Sequence, residues 1–327
     1  MFSNKKIARF FILILAVFVL SGCQSTKPEW YLKPQSDDDK YIYAVSQART
    51  LSHAKKMAVN SINEKLWTQV ESSFYMRDTV RETNGKGFSN SLVDNKVNTK
   101  TESLTLNGIE YVQMEENDLG AFVEVRVKRA LVTQQLIREI KNLNRKSQIE
   151  LDALSHEDKL LWWLDNRNAY QIEHDASVRI AMLSPLKPGY IADISSIEKL
   201  TIAHQQLSSQ INIRLSADRE SRKAIELLGN QLSEFNIATS TSKNKNQTHV
   251  LKVDSERRRK KVGDAYISTL LSNIKIINNK SKTVSRSEII STGNSVTSYK
   301  YSDEGAARHF DEQIKEKGIW TALGLIK

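Results

Sequence analysis

The sequence contains very little cysteine: Cys23 is the only one in 327 residues. No disulfide can therefore form within the chain, and its folded parts must be held by core packing. Proline and glycine are also scarce, at 4 and 12 residues, and no internal repeat is visible. This composition is not that of a disordered or repetitive chain. After the apolar run Phe10 to Leu20, no stretch of the sequence reaches the length of about 18 apolar residues that indicates a membrane span.

Recognisable catalytic motifs are also lacking. The chain has no HExxH, GxSxG, GxxxxGKS/T or GxGxxG motif, and its six histidines are scattered without a pair at i, i+4. The nearest acid–histidine clusters, His156-Glu157-Asp158 and His174-Asp175, are interpreted as solvated surface. We therefore predict no catalytic residue, no metal site and no cofactor, and we expect a protein that is not an enzyme. These patterns leave open a triad assembled from distant residues.

Residues 1–22 are predicted to be a signal peptide. Lys5, Lys6 and Arg9 form a positive head before the apolar run, and Ser21-Gly22 supplies small residues after it. The run is shorter than the roughly 20 residues that span a bilayer, which favours a signal peptide over a transmembrane helix.

The end of this segment, Leu20-Ser21-Gly22-Cys23, resembles the lipobox of bacterial lipoproteins. The resemblance implies cleavage between Gly22 and Cys23, a diacylglyceryl group on the Cys23 thiol and acylation of the new amine. In that family Asp after the cysteine accompanies retention in the inner membrane. Gln24 therefore implies a lipid anchor in the outer membrane, and we expect the body on its periplasmic face. The alternative is an ordinary secretory peptide with a coincidental cysteine.

The net charge of +10 is spread along the chain, so no nucleic-acid partner is predicted. The strongest local feature is a run of five cations between two strand candidates: Arg257, Arg258, Arg259, Lys260 and Lys261. One interpretation is a solvated hairpin or a charged sheet edge that resists aggregation. The other is contact with lipid phosphates or with an acidic partner.

Residues 30–128 are predicted to form one helix packed on one antiparallel sheet. The expected elements are a strand at Tyr41–Val45, a helix capped by Ser52 and apolar through Leu66, strands at Trp67–Tyr75, Thr99–Gln113 and Ala121–Val127, and a long loop over Asn84–Asn98. Asn117 to Gly120 is the expected turn before the last strand.

This region resembles the Lpp-twenty lipoprotein family. The resemblance covers about residues 28–130 and is carried by residues 28–30 (PEW), 41–45 (YIYAV), 106–112 (LNGIEYV) and 121–127 (AFVEVRV). It implies a small dodecin-like α+β domain that tends to self-associate, in a family that includes a flagellar outer-membrane lipoprotein. Members usually have glycine where this chain has Ser46, so the loop after the first strand is expected to differ.

Residues 129–175 are predicted to be a helical connector, broken near Ser147 and Ser155. Val132, Leu136, Ile140 and Leu143 form one apolar stripe, which indicates core packing or, alternatively, a partner-binding helix. Because adjacent residues on a helix point about 100° apart, we expect one of Trp162 and Trp163 to be buried and the other half-exposed.

Residues 176–327 are predicted to form a second α+β domain with a meander sheet. The expected elements are a helix at Ile194–Gln210, a strand at Ile211–Leu215, a helix capped by Ser216 with apolar positions from Ala224 to Phe235, strands at Val250–Asp254, Ala265–Ile277, Thr283–Thr292 and Val296–Tyr301, and a helix at Glu304–Lys317. With residues 23–29 as a lipidated tether, the chain is expected to be an α+β protein of two domains joined by a helical connector.

Two functions are compatible with these observations. The first is a structural or assembly lipoprotein of the cell envelope that self-associates or meets a periplasmic protein, with a flagellar association suggested by the family. The second is a lipoprotein that binds glycan or lipid through its C-terminal domain, in a pocket lined by Trp162, Trp163 or Trp320.

Overall fold

The computed structural model of the protein describes residues 26–83 and 105–326, without the side chains of residues 68–83. The predicted signal peptide, Cys23 and the expected loop at Asn84–Asn98 lie outside these residues. The described residues divide into two compact units. The first contains the described residues up to Lys141 together with Ala176–Ala192, and the second contains Asn142–Asp175 and the residues from Asp193 onward.

The first unit is built on a three-stranded antiparallel sheet. Its elements are α1 (Glu29–Leu32), β1 (Tyr41–Ala48), α2 (Leu51–Thr83), β2 (Glu110–Asn117), β3 (Gly120–Lys128) and the first part of α3 (Arg129–Ala153). The strand order is β1-β3-β2, so β3 lies in the centre. Asn117 pairs with Gly120 at the hairpin turn, as the sequence predicted.

Helix α2 packs on β1 and β3 through small and aliphatic side chains. Ala54, Ala58, Ile62 and Leu66 are buried and recur every four residues, which is the spacing of one helix face. Their partners include Val123, Val125 and Val127, which alternate along β3 and are fully buried. The predicted cap at Ser52 is wrong. The helix begins at Leu51, and the Thr50 hydroxyl accepts a hydrogen bond from the His53 amide at 3.4 Å.

The strand predicted at Trp67–Tyr75 is wrong, because α2 continues to Thr83. No glycine or proline interrupts residues 51–83, so nothing in the sequence ends the helix where the apolar periodicity weakens. The predicted strand at Thr99–Gln113 begins late: among the described residues, β2 starts at Glu110.

The second unit contains one five-stranded mixed sheet and several helices. After the end of α3 come α4 (Lys159–Asp165), the start of α5 (Ala169–Leu183), α6 (Ser195–Gln210), β4 (Asn212–Ala217), α7 (Arg222–Glu234), β5 (Ala238–Ser240), β6 (His249–Val262), β7 (Ala265–Asn278), β8 (Thr283–Ser295), α8 (Tyr299–Lys317) and α9 (Ile319–Ala322). The strand order is β5-β4-β6-β7-β8. Strand β4 runs parallel to β5 and β6, whereas β6, β7 and β8 form the predicted antiparallel meander.

One face of this sheet is covered and the other is open. The side chains of β7 alternate along the strand, and Leu270, Ile274 and Ile276 are buried. Ile274 and Ile276 pack in one core with residues of α4, α7 and α8, such as Trp162, Leu228 and Phe310. On the opposite face of β6, β7 and β8 no residue is buried. The sheet therefore has a core face and a solvent face, as antiparallel sheets often do.

The α+β class predicted from the sequence is confirmed, while several local predictions are wrong. Trp162 and Trp163 are both buried, because α4 is enclosed by the core. Helix α3 passes through Ser147 without a break, and Ser221 rather than Ser216 precedes α7. Residues 296–301 are not a strand, since β8 ends at Ser295 and α8 starts at Tyr299. No helix within the described residues combines the length and apolar character needed to cross a bilayer.

Candidate surface-contact site

The five cations predicted as a surface-contact site lie within strand β6, not in a loop between two strands. They occupy its second half, where β6 pairs with β7 from Arg257 opposite Leu270 to Lys261 opposite Tyr266. Strand β4 pairs only with residues 249–253 of β6. The basic half of β6 is therefore an outer edge of the meander among the described residues, and charge there disfavours pairing with another chain.

The alternation of the strand separates the five cations onto two faces. Arg259 lies in one cross-strand row with Ser268 and Gly293, and Gly293 lies directly under α8. Arg257, Arg259 and Lys261 therefore point toward the α8 face. The other two, Arg258 and Lys260, point to the open face of the sheet.

Two of the arginines share one carboxylate. Arg257 Nη1 lies 2.9 Å from Asp303 Oδ1, and Arg259 Nη2 lies 2.6 Å from Asp303 Oδ2. Asp303 belongs to the first turns of α8, and its Oδ1 also accepts a hydrogen bond from the Ser268 hydroxyl at 2.5 Å. Arg257 donates a further bond to Glu220 Oε2 at 2.7 Å. These contacts join α8 and the loop before α7 to the hairpin.

The environment of Asp303 favours its charged form. Partial burial alone would raise the pKa of this carboxyl, but the hydrogen bonds from Arg259 and Ser268 and the charge of Arg257 together lower it. The same pairing raises the pKa of Arg259. Arg257 and Arg259 are thus already paired with Asp303 within the protein, which weakens the attraction of both for an external anion.

The other three cations are more exposed. Arg258 pairs with its neighbour Glu256 at 2.8 Å, and both side chains are more than half exposed. Such a surface pair is easily exchanged for other partners. Lys261 places its ammonium 4.8 Å from the centre of the Tyr266 ring. Within the described residues, no carboxylate pairs with Lys260 or Lys261. Of the five cations in the predicted site, those not paired with Asp303 are therefore Arg258, Lys260 and Lys261, toward the end of the hairpin.

A second cluster, which the sequence did not predict, lies at the start of β6. His249 Nε2 is 2.9 Å from Asp158 Oδ1, and Asn278 Nδ2 donates to Asp158 Oδ2 at 2.8 Å. Asp158 also caps α4 by accepting the Leu160 amide at 3.0 Å. Burial alone would raise the pKa of Asp158, but the hydrogen bonds from His249 and Asn278 lower it to about 2.

The sequence contained one signal for this cluster. Asp158 directly precedes the apolar run Leu160–Leu164, which is the pattern of a helix N-cap. The interpretation of Asp158 as solvated surface is therefore wrong. Its partner His249 is 91 residues away, and no local pattern connects them.

Thr248, His249 and Asp158 are hydrogen-bonded in series, in the order of the nucleophile, base and acid of a catalytic triad. Here, however, these hydrogen bonds hold elements of the fold together. His249 Nδ1 lies 2.9 Å from the Thr248 hydroxyl. That hydroxyl accepts the Asn212 amide and donates to the Asn212 carbonyl, both at 3.0 Å. Its proton is committed to a backbone acceptor, so the group fixes the start of β6 beside β4.

An aromatic cluster lies on the helical side of the second unit. The His204 ring stacks on Trp163, with centroids 5.5 Å apart and an interplanar angle of 6°. Trp320 meets Trp163 edge-on at 5.8 Å, and Tyr170 and Phe235 lie at the margin with about half of their surfaces exposed. Burial lowers the pKa of His204, although its hydrogen bond to the Trp163 carbonyl opposes this effect.

Within the described ranges, no group of three or more His, Cys, Asp or Glu side chains could hold a metal ion. No protein-family model and no curated protein matches the chain.

Several solved structures are similar to the chain at low identity. They include the secreted protein HP1454 from Helicobacter pylori, with 15% identity, a TM-score of 0.49, and coverage of 88% of this chain and 100% of that one. A minor lipoprotein from Acinetobacter baumannii matches with 14% identity, a TM-score of 0.29, and coverage of 34% and 91%. The PelC dodecamer from Paraburkholderia phytofirmans matches with 14% identity, a TM-score of 0.24, and coverage of 32% and 85%.

Proposed function

We propose that the protein is a lipid-anchored outer-membrane protein with a structural or assembly role in the cell envelope, and that it is not an enzyme. The observation that carries this proposal is Leu20-Ser21-Gly22-Cys23 after a positive head and an apolar run. A single acyl chain of myristoyl length binds a membrane only marginally, whereas several chains hold a protein durably. Acylation of Cys23 on its thiol and on its amine would supply the stronger anchor.

The internal chemistry of the described residues supports a role without catalysis. The most perturbed carboxylate, Asp158, caps a helix and binds His249. Asp303 forms ion pairs with Arg257 and Arg259 and so joins α8 to the sheet. In both cases the charged groups connect elements of the fold, which is the alternative to catalysis for a perturbed pKa.

The surface of the first unit offers features suited to assembly. Strand β2 lies at one edge of its sheet, and Tyr111 and Met114 on it are 45% and 48% exposed. An edge strand with exposed apolar side chains is a common place for contact between chains. We propose self-association or docking to a periplasmic protein, including one of the flagellum, through such surfaces.

Lipidation is tested by growing cells that express the protein with an alkyne-bearing palmitate analogue and then separating the membranes. We expect label on the wild-type protein in the outer membrane and none on Cys23→Ser. The matched variant Gln24→Asp should keep the label and move to the inner membrane. Label on Cys23→Ser, or a wild-type protein without label, would contradict the anchor.

The assembly role is tested by the size of the lipidated protein extracted in detergent, measured by light scattering, together with the phenotype of a deletion strain. We expect an oligomer and a defect in envelope integrity or motility. A monomer combined with an unaltered deletion strain would overturn the assembly role.

Binding of a glycan or lipid is the second candidate function, and the aromatic cluster favours it. Trp163 Nε1 and His204 Nδ1 are both buried and have no hydrogen-bond partner within the described residues. Flat rings with unused polar atoms suit a ligand with apolar faces and hydroxyl groups. Tryptophan fluorescence titrated with peptidoglycan fragments or lipopolysaccharide tests this. We expect saturable quenching that is lost in Trp163→Phe, and unchanged emission would reject it.

A further inference from the structure

The far end of the β6–β7 hairpin brings together cationic, aromatic and aliphatic side chains. We call this end the hairpin tip and define it by the residues Lys260 to Tyr266 and Val296 to Tyr301. Tyr266 pairs with Lys261 on one side and with Ser295, the last residue of β8, on the other. The Tyr266 ring also meets Tyr299 edge-on at 4.9 Å. These contacts place both segments at the same end of the sheet.

The apolar side chains of the hairpin tip are unusually exposed. Val262 is 51% exposed, Val296 is 80% exposed and Tyr301 is 52% exposed. A single exposed aliphatic residue is ordinary in a folded protein. Here three exposed apolar residues lie at the same end of the sheet, beside two further tyrosines, and grouped exposed apolar residues mark interaction sites.

The charge of the hairpin tip identifies the kind of partner. Lys260, Lys261 and Lys300 lie there, and none of them has an ion pair among the described residues. The opposing groups are Asp264 in the turn and Glu304 one helical turn into α8. Asp303 contributes no free charge, because Arg257 and Arg259 occupy it. The balance favours an anionic partner.

We propose that the hairpin tip rests on the surface of an anionic lipid bilayer and gives the anchored protein a second membrane contact. The lysines would meet lipid phosphates, the tyrosines would lie at the level of the head groups, and Val262 and Val296 would reach the upper part of the acyl chains. This combination of cationic and aromatic residues around a small apolar end suits a membrane surface. The proposal rests on the proposed function in one respect, which is that the anchor brings the chain to a membrane.

The experiment uses the full lipidated chain on vesicles of phosphatidylcholine alone or of phosphatidylcholine mixed with phosphatidylglycerol. Thr297→Cys places a thiol in the exposed part of the hairpin tip, and it is the only free thiol once Cys23 is acylated. An environment-sensitive dye on this thiol should become brighter and shift to the blue on the anionic vesicles, and added salt should weaken the effect.

The decisive variant is Lys260→Glu with Lys261→Glu. Loss of two lysines that each contribute ~1 kcal/mol near an anionic surface corresponds to a roughly 30-fold decrease in the equilibrium constant for contact, at 1.4 kcal/mol per factor of ten. The two added carboxylates should decrease it further. The control is Lys243→Glu with Lys245→Glu, which makes the same charge change in the exposed loop at the opposite end of β6. The control should behave like the wild type.

The two possible failures are distinguished by two readouts. Cosedimentation with vesicles of either composition reports the acyl anchor, whereas the dye reports the hairpin tip. Equal dye emission on neutral and anionic vesicles, or no response to the Lys260 and Lys261 changes, overturns the proposal even when the protein cosediments. An acidic protein that binds the hairpin tip equally well without lipid would also overturn it.

Discussion

Arg257 and Arg259, two residues apart on one face of β6, bind the two oxygens of the same carboxylate, Asp303. One side chain near the start of α8 therefore pairs with two of five consecutive cations and attaches the helix to the hairpin. The side chain of Arg257 is 17% exposed and that of Asp303 is 22% exposed, so removal of the carboxylate would leave a largely buried guanidinium with Glu220 as its remaining acid.

We predict that Asp303→Asn lowers the free energy of unfolding by about 1–2 kcal/mol, because it removes charge-assisted hydrogen bonds that are only partly screened by solvent. Urea unfolding at neutral pH measures this change. The control is Asp264→Asn in the exposed turn of the same hairpin, which should leave stability unchanged. Equal stability of both variants would show that the shared carboxylate is dispensable.

We predict that ionisation of the Asp158 carboxyl makes the free energy of unfolding depend on pH in the acidic range. Its pKa is about 2 in the folded protein and 3.8 in its ordinary state. Since the folded pKa is the lower one, the contribution is complete above the ordinary pKa and is lost as pH falls through about 2.

Asp158→Asn should therefore cost about 1–2 kcal/mol at neutral pH, allowing for partial screening by solvent, and much less near pH 2. Urea titrations of the wild type and the variant over this pH range test the prediction. Asp165→Asn, at the exposed end of the same short helix, is the control and should show no such dependence. A difference that stays constant with pH would contradict the assignment.

We predict a second pH effect, in a higher range, from His204. Burial lowers its pKa below the ordinary value of 6.5, so the unfolded chain binds the proton more readily. The contribution to stability is complete above pH 6.5 and decreases as pH falls below it. His204→Phe keeps a ring against Trp163 but cannot be protonated, so it should lose less stability than the wild type between about pH 7.5 and pH 5. Identical losses in the two proteins would reject this role.

We predict that α8 requires glycine at position 293. A Cβ there would collide with the Ser302 carbonyl oxygen and the Ala306 amide nitrogen, both in the backbone of α8. Gly293→Ala should therefore destabilise the protein by about 3 kcal/mol, at the upper end of overpacking costs.

The graded control for this contact is Gly305→Ala. Its Cβ would lie 3.2 Å from the Gly293 Cα, which demands only a small shift. The change should be close to neutral, since alanine is about 1 kcal/mol better than glycine within a helix. Thermal unfolding of both variants measures the difference, and similar melting temperatures would mean that α8 moves away freely.

The sequence predicted those elements in which apolar side chains recur with the spacing of a strand or of a helix. The alternation of burial along β7 and the four-residue spacing in α2 and α7 arise because one face of each element is buried. The five consecutive cations of β6 show no alternation of apolar and polar residues. Their strand forms because β7, which does alternate, pairs with them along its length.

The contacts that define the candidate site were beyond local patterns for a related reason. Arg259 meets Asp303 across 44 residues, and Asp158 meets His249 across 91. Such pairs are created by the topology of the sheet. The sequence indicated a basic run and a helix cap, but it could not indicate which cations would already be paired with carboxylates.

The path of the chain through the first unit imposes an order on its maturation. That unit includes Ala176–Ala192, a segment that arrives only after 34 residues belonging to the other unit, Asn142–Asp175. Arg179 from the late segment binds Glu139 at 2.7 Å. A nascent chain that emerges from its amino end therefore cannot complete the first unit until residue 192 has appeared. A fragment that ends after the first sheet is therefore a poor choice of truncation, because it would lack the part of the first unit formed by Ala176–Ala192.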